Sequence, residues 1–401
     1  MTTPSSNPQT LGRKRRKIAL VFWVLCGILL LAGILLWLLV FRYREYTDDA
    51  YVEGNQVFIT PLHSGFVTAI HTDDTFLATK GQLLIELDET DARIALNTAQ
   101  EQLAETVRDV CQMFHQVFVY EAEIAVREAE YIVAGQDYEH RMNVLDAGGV
   151  SLEDYQHAVA QLRTAFFTLQ MTKVLYEKAL AIVQGTSLKT HPLILTAADK
   201  VRDAWVQLYR CKIYSPVEGL VAKRTIQVGM WTEAGKPLLS VIPLDQIWVN
   251  ANYKETQLKH MRIGQKVKIT SDLYGRDVIY HGSIIGLPGG AGNAFSLLPP
   301  QNLSGNWIKI VQRLPVRVGL EPEELKSHPL RIGLSMESVV DLHDREGLLV
   351  PTTTRGSPLY ETSIFTQEER GDEALILSTI ENNIDPALIE YVETPFGVAA
   401  P

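Results

Sequence analysis

Ten histidines and three cysteines are the side chains of this sequence best suited to hold a metal or act as a nucleophile, and their spacing gives them neither task. The histidines are dispersed, without an HxxxH or HExxH pair to put two imidazoles on one helical face. Cys26, Cys111 and Cys211 form no CxxC pair, so neither a zinc site nor a redox dithiol is expected. No GxSxG elbow presents a serine. Gly289-Gly290-Ala291-Gly292 has the look of a phosphate-cradling loop, but no Lys-Ser/Thr follows it and no parallel βαβ unit surrounds it. These residues predict a chain that is not an enzyme and that takes no cofactor and no metal.

A repeat sets the architecture instead. One module is written twice, from Ile59 to Asp88 and from Ile213 to Ile242. In the first copy Gly65-Phe66-Val67 precedes Gly81 and Leu83-Leu84-Ile85; in the second Gly219-Leu220-Val221 precedes Gly235 and Leu238-Leu239. Alternating apolar residues make both copies β-rich, and neither half alone can bury its apolar face, so the halves must come together. The module is similar to the lipoyl or biotinyl carrier domain, in which a modified lysine sits at the hairpin tip joining the halves. Here a long helical stretch occupies that junction, and Lys80 lies in a different turn, as a solvated residue.

The intervening stretch reads as coiled coil. Leu96, Leu103, Val110, Val117, Ile124, Tyr131, Tyr138 and Leu145 recur at strict heptad spacing. The helix breaks at Ala147-Gly148-Gly149, and Ser151 with Glu153 and Asp154 offers capping chemistry for a returning helix. Tyr155, Val159, Leu162, Phe166, Leu169, Tyr176, Leu180 and Val183 form the facing seam, with Lys173 its charged member. An interruption from Gly185 to Pro192 precedes renewed helical spacing from Ile194 to Leu208. The arms match in length and predict an antiparallel hairpin projecting about 80 Å, with nothing but each other to cover them. Cys211 at its base and Cys111 about 30 Å up the shaft cannot bond within one chain.

Ahead of the first module, Ile18 to Phe41 carries no charge and spans about 36 Å as a helix, enough to cross a bilayer. Arg13, Lys14, Arg15, Arg16 and Lys17 precede it and should stay cytoplasmic, placing everything beyond Arg42 outside. Those five cations hide in a net charge of −10 a body at −15, which argues against a nucleic-acid partner. After the second module, strands are expected at Ile247–Ala251, Val267–Thr270, Ile279–Ile285, Trp307–Val311, Val316–Leu320 and Ser338–Leu342, the pattern of a small antiparallel barrel.

The expected fold is therefore mixed α+β and elongated. Its parts are a cytoplasmic tail (1–17), a transmembrane helix (18–41) and a split lipoyl-like, barrel-sandwich hybrid domain (46–90 and 211–245). An antiparallel coiled-coil hairpin (91–210, tip about 147–150) is inserted in that domain. A small β-barrel (246–345) follows, then a segment (346–401) in which Leu375–Ile380 and Leu388–Tyr391 read as short packed pieces.

That order resembles the membrane fusion protein, or periplasmic adaptor, family that includes HlyD, and within it the EmrA-like branch. The sharper signatures are Thr47-Asp48-Asp49-Ala50-Tyr51-Val52, the run Trp248-Val249-Asn250-Ala251-Asn252-Tyr253-Lys254-Glu255-Thr256-Gln257, and the segment from Ala294 through Trp307 to Arg317. The resemblance implies an inner-membrane, single-pass protein with most of its mass in the periplasm. It also implies a role in multidrug efflux, bridging a major-facilitator-type transporter to a TolC-like outer-membrane channel. Related hairpin tips carry an Arg-x3-Leu-x6-Ser pattern that meets the channel; Arg141 and Leu145 fit it and Ser151 comes one residue early. A single rod cannot enclose a path, so self-association into a ring, trimeric or hexameric, is expected. The rival readings are an HlyD-like adaptor for an ABC-driven protein secretion system and a coiled-coil envelope spacer without transport.

Overall fold

In a computed structural model the described residues are 8–38, 42–291, 294, 311–352, 354 and 356–396. All but the last residue of the expected strand at 307–311, and all of the 294–306 segment but Ala294, lie outside them. The first helix, α1 (Pro8–Leu36), contains an apolar span from Ile18 to Leu36 with none of it buried by the rest of the chain.

The two copies of the module fold as one sandwich. Strands β2 (Val57–Ile59), β3 (Gly65–Ile70), β4 (Leu77–Ala78) and β5 (Leu83–Leu87) come from the first copy. Strands β6 (Lys212–Tyr214), β7 (Gly219–Ala222), β8 (Trp231–Thr232) and β9 (Leu239–Ile242) come from the second. One sheet runs β2-β9-β7-β4 and the other β6-β5-β3-β8, so each sheet takes two strands from each half. Exchanging every strand for its repeat partner converts one order into the other. The loops obey the same exchange. Gly81 N–H donates to Ser215 and Gly235 N–H to Pro61, while Val67 N–H donates to Met230 and Val221 N–H to Phe76. Both turn glycines have positive φ, 83° and 79°, which a side chain would strain. Val67, Leu84 and Ile85 from the first half and Val221, Leu238 and Leu239 from the second share the core.

From this sandwich α2 (Thr90–Leu145) runs out for 56 residues, about 84 Å at 1.5 Å per residue. The chain returns through α3 (Leu152–Val183) and α4 (Pro192–Tyr209). Of the heptad positions on α2, Leu96, Leu103, Val110 and Val117 are buried and those from Ile124 outward are half-buried. On α3 the buried residues are Ala158, Leu169, Thr172, Ala179 and Val183. The facing seam thus uses small side chains that a search for bulky apolar residues passes over, and Phe166 stays 40% exposed. Lys173 reaches Glu128 across the seam at 2.9 Å.

Only the outer shaft is a bare two-helix rod. At its root the C-terminal segment adds α5's successor, helix α6 (Asp372–Glu381), and a 3-10 turn (Pro386–Tyr391), α5 itself (Pro322–Ser327) belonging to the barrel described next. Ile376, Ile380, Leu388 and Phe396 pack against Phe114, Leu188 and Ile194 in one core, so the arms are covered by more than each other. The interruption between α3 and α4 is where this segment plugs in. Leu188 N–H donates to Tyr391, Lys189 N–H to Val392 and Gly185 N–H to Phe396, while Phe396 N–H returns a bond to Thr186. Arg202 and Arg210 of the root reach the buried carboxylates Asp372 and Glu368 at 2.9 and 2.8 Å.

Strands β1 (Arg44–Gly54), β10 (Ile247–Lys254), β11 (Lys266–Ser271), β12 (Gly275–Gly286), β13 (Arg313–Leu320) and β14 (Ser335–Asp341) close a barrel in the order β1-β10-β13-β12-β11-β14. Here the expectation for residues 46–90 is corrected. β1 belongs to the barrel, pairing with β10 and β14, and the sandwich begins only at Val57. Five strands from 246–345 would leave two open edges; the strand that follows the apolar helix fills the gap and abolishes both.

Candidate functional site

At the hairpin tip α2 ends in a Schellman turn: Gly149 N–H donates to Val144, Gly148 N–H to Leu145, and Gly148 has φ 72°. Ser151 then caps α3. Its Oγ accepts the Asp154 N–H at 3.0 Å and donates to Asp154 Oδ2 at 2.6 Å, which holds the Asp154 carboxyl below the usual range. Arg141 spans the two arms, its Nε on Asp137 Oδ1 at 3.1 Å and its Nη1 on the Asp154 carbonyl at 2.9 Å. Leu145 is half-buried at the end of the seam. The structure thus brings Arg141, Leu145 and Ser151 to one end of the rod, where each also has a local job of bridge, seam or cap. Beside them Met142, Val144 and Leu152 are exposed, Leu152 at 63%. Heptad reasoning missed these three because they lie off the seam; their signal was an apolar side chain beside the tip with no partner to cover it.

The other signatures meet in the barrel. β1 slips register between Thr47 and Ala50, and this bulge aims Asp49 across the ladder. Its Oδ1 accepts from Asn252 Nδ2 at 3.0 Å and its other oxygen pairs with Arg313. Thr47 Oγ1 donates to the Asn252 carbonyl, and Gln257 Nε2 donates to Glu45 Oε2 and to the Tyr46 carbonyl. The Arg317 guanidinium sits 3.6 Å from the Trp248 ring centroid. Tyr253 is fully buried with its hydroxyl on Ser338 Oγ, and burial pushes its pKa up. The first two signatures and the described end of the third, Arg313 to Arg317, are therefore one seam, welding β1 to β10 and β13.

Among the described residues no three His, Cys, Asp or Glu side chains converge where a metal could sit. Burial pushes the thiols of Cys111 and Cys211 up, away from the reactive thiolate. Lys80 is exposed in its turn.

The family described as the EmrA alpha-helical hairpin domain matches residues 90–211. The chain is 42% identical over 340 residues to the "Probable multidrug resistance protein EmrK" of Escherichia coli K12, covering 84% of this chain and 88% of that one. It is 37% identical over 380 residues to the "Multidrug export protein EmrA" of Haemophilus influenzae, covering 95% and 97%. A solved structure described as the periplasmic adaptor protein EmrA aligns over 75% of this chain and 99% of its own, with 15% identity and a TM-score of 0.38. On the identity and coverage of its sequence relatives, the chain belongs to the EmrA-like branch of the membrane fusion protein family.

Proposed function

We propose that this chain is the periplasmic adaptor of a tripartite multidrug efflux system, joining a major-facilitator-type transporter in the inner membrane to a TolC-like channel in the outer membrane. The observation that carries this reading is one continuous sequence of parts: a membrane helix, a barrel beginning at Arg44, a sandwich, and a helix pair about 84 Å long. The cluster Arg13 to Lys17 keeps the N-terminus cytoplasmic and the rest periplasmic. The adaptor does no chemistry of its own; the transporter supplies the energy, and several copies side by side wall the path as a ring of three or six. The tip, with Arg141, Leu145 and Ser151, meets the channel.

Deletion with copurification tests this. Loss of the chain should raise sensitivity to hydrophobic toxicants with envelope shape unchanged, and the tagged chain should bring down a transporter with about fourteen apolar spans of about 20 residues each. Recovery of an ABC transporter would favour the protein-secretion reading, and unchanged sensitivity would leave a structural spacer.

A further inference from the structure

The barrel end that faces the anchor is built from the start of β1 at Arg44, the end of β14 at Asp341 and the start of β11 at Lys266, neighbours in one register. Two turns extend from it, residues 258–265 and 342–350. They are stitched together by the Gln265 side-chain amide, which donates to the carbonyls of His260 and Asp344, and by the Ile263 N–H, which donates to Leu348. The Leu342 N–H donates to Tyr43, just after the anchor.

In a body that is otherwise strongly acidic, this end gathers cations. Partial burial and then the charges of Arg345, Lys259, Arg262 and Arg42 hold His260 below its ordinary pKa, so five basic side chains share one neighbourhood. None of the five pairs with a carboxylate among the described residues. Arg262 spends its guanidinium on the carbonyls of Lys259 and Met261, and Arg345 donates to the Leu342 carbonyl and lies 5.2 Å over the Tyr43 ring. Of the carboxylates nearby, Asp341 pairs with His343 and feels the charge of Arg44, while Asp344, which accepts the Glu346 N–H, Glu45, which accepts from Gln257, and Glu346 keep their charge and oppose part of the group. On the same turn Leu348, Leu349 and Val350 stand 53%, 52% and 70% exposed.

A basic cluster beside an unpartnered apolar finger, one short step from a membrane helix, matches the chemistry of a bilayer interface, where cations meet phosphate and apolar side chains enter the acyl boundary. We propose that the turns 258–265 and 342–350 form a binding surface for anionic phospholipid headgroups, which seats the barrel on the bilayer and fixes its tilt. The proposal rests on the membrane anchor and not on the transport reading. Each cation near an anionic surface contributes about 1 kcal/mol, a factor of about five in binding.

The test is hydrogen–deuterium exchange of the full-length protein in nanodiscs of phosphatidylglycerol-rich or purely phosphatidylcholine composition. Exchange in 258–265 and 342–350 should slow in the anionic discs alone, by about fivefold or more, with salt reversing it. Lys259→Glu and Leu349→Asp should each remove the effect while β10 keeps its protection, which reports an intact barrel. If either variant loosens β10, the salt reversal of the wild type decides. Equal exchange in both compositions overturns the proposal. So does slowing by inorganic phosphate in phosphatidylcholine discs, which indicates a free-phosphate site, or slowing that appears only when the transporter is added.

Discussion

The glycines of the doubled module show how far a sequence match carries at the level of single residues. Gly65 and Gly219 occupy corresponding positions, yet a Cβ on Gly65 would meet nothing closer than Leu87 at 3.7 Å, whereas one on Gly219 would lie 2.4 Å from the Ile242 carbonyl oxygen. Gly219→Ala must push β7 off its neighbour and should cost about 1–3 kcal/mol or more in denaturant unfolding, while Gly65→Ala stays within about 1 kcal/mol. Equal costs would mean that the halves pack more alike than the structure has them. Gly81 and Gly235 were legible in the sequence as equivalent turns, and both have positive φ. As a channel contact the tip residues were legible only by resemblance, whereas Leu145 as a heptad position and Ser151 as a helix cap were legible from spacing. Arg141, Leu145 and Ser151 do sit together, but their visible partners are within the hairpin.

At the scale of elements, periodicity located the hairpin because heptads are a local signal, and it misjudged what covers the root because that partner is far along the chain. Residues 375–380 and 388–391 carry too few apolar positions to announce a target, and only the core they share with Phe114 and Leu188 explains the interruption at 184–191. Leu388 is fully buried there. Leu388→Ala should cost about 2–5 kcal/mol, read as faster proteolysis and exchange across 184–191 with the barrel unaffected. A cost under about 0.5 kcal/mol would show that the segment only rests on the root. β1 was misplaced for a related reason: its alternation is equally suited to either sheet system, and the choice is made by pairing with β10 and β14.

Across the whole molecule every layer is closed by chain going out and chain coming back. The barrel takes β1 outward and β10 to β14 on return, the sandwich takes one module each way, and the rod pairs α2 with α3 and α4. A pull at the tip is therefore shared by both passages down to the barrel, which suits the bridging role proposed above. The sandwich and the rod were legible in the sequence, but the barrel's place next to the anchor was not, because it depends on the pairing of β1 with β10 and β14; what meets each end was not legible either, since partners leave no periodicity. A photo-crosslinking residue at Leu152, placed in living cells, tests the bridging role most directly. The account predicts an adduct with an outer-membrane channel protein, and adducts confined to cytoplasmic or inner-membrane proteins would contradict it.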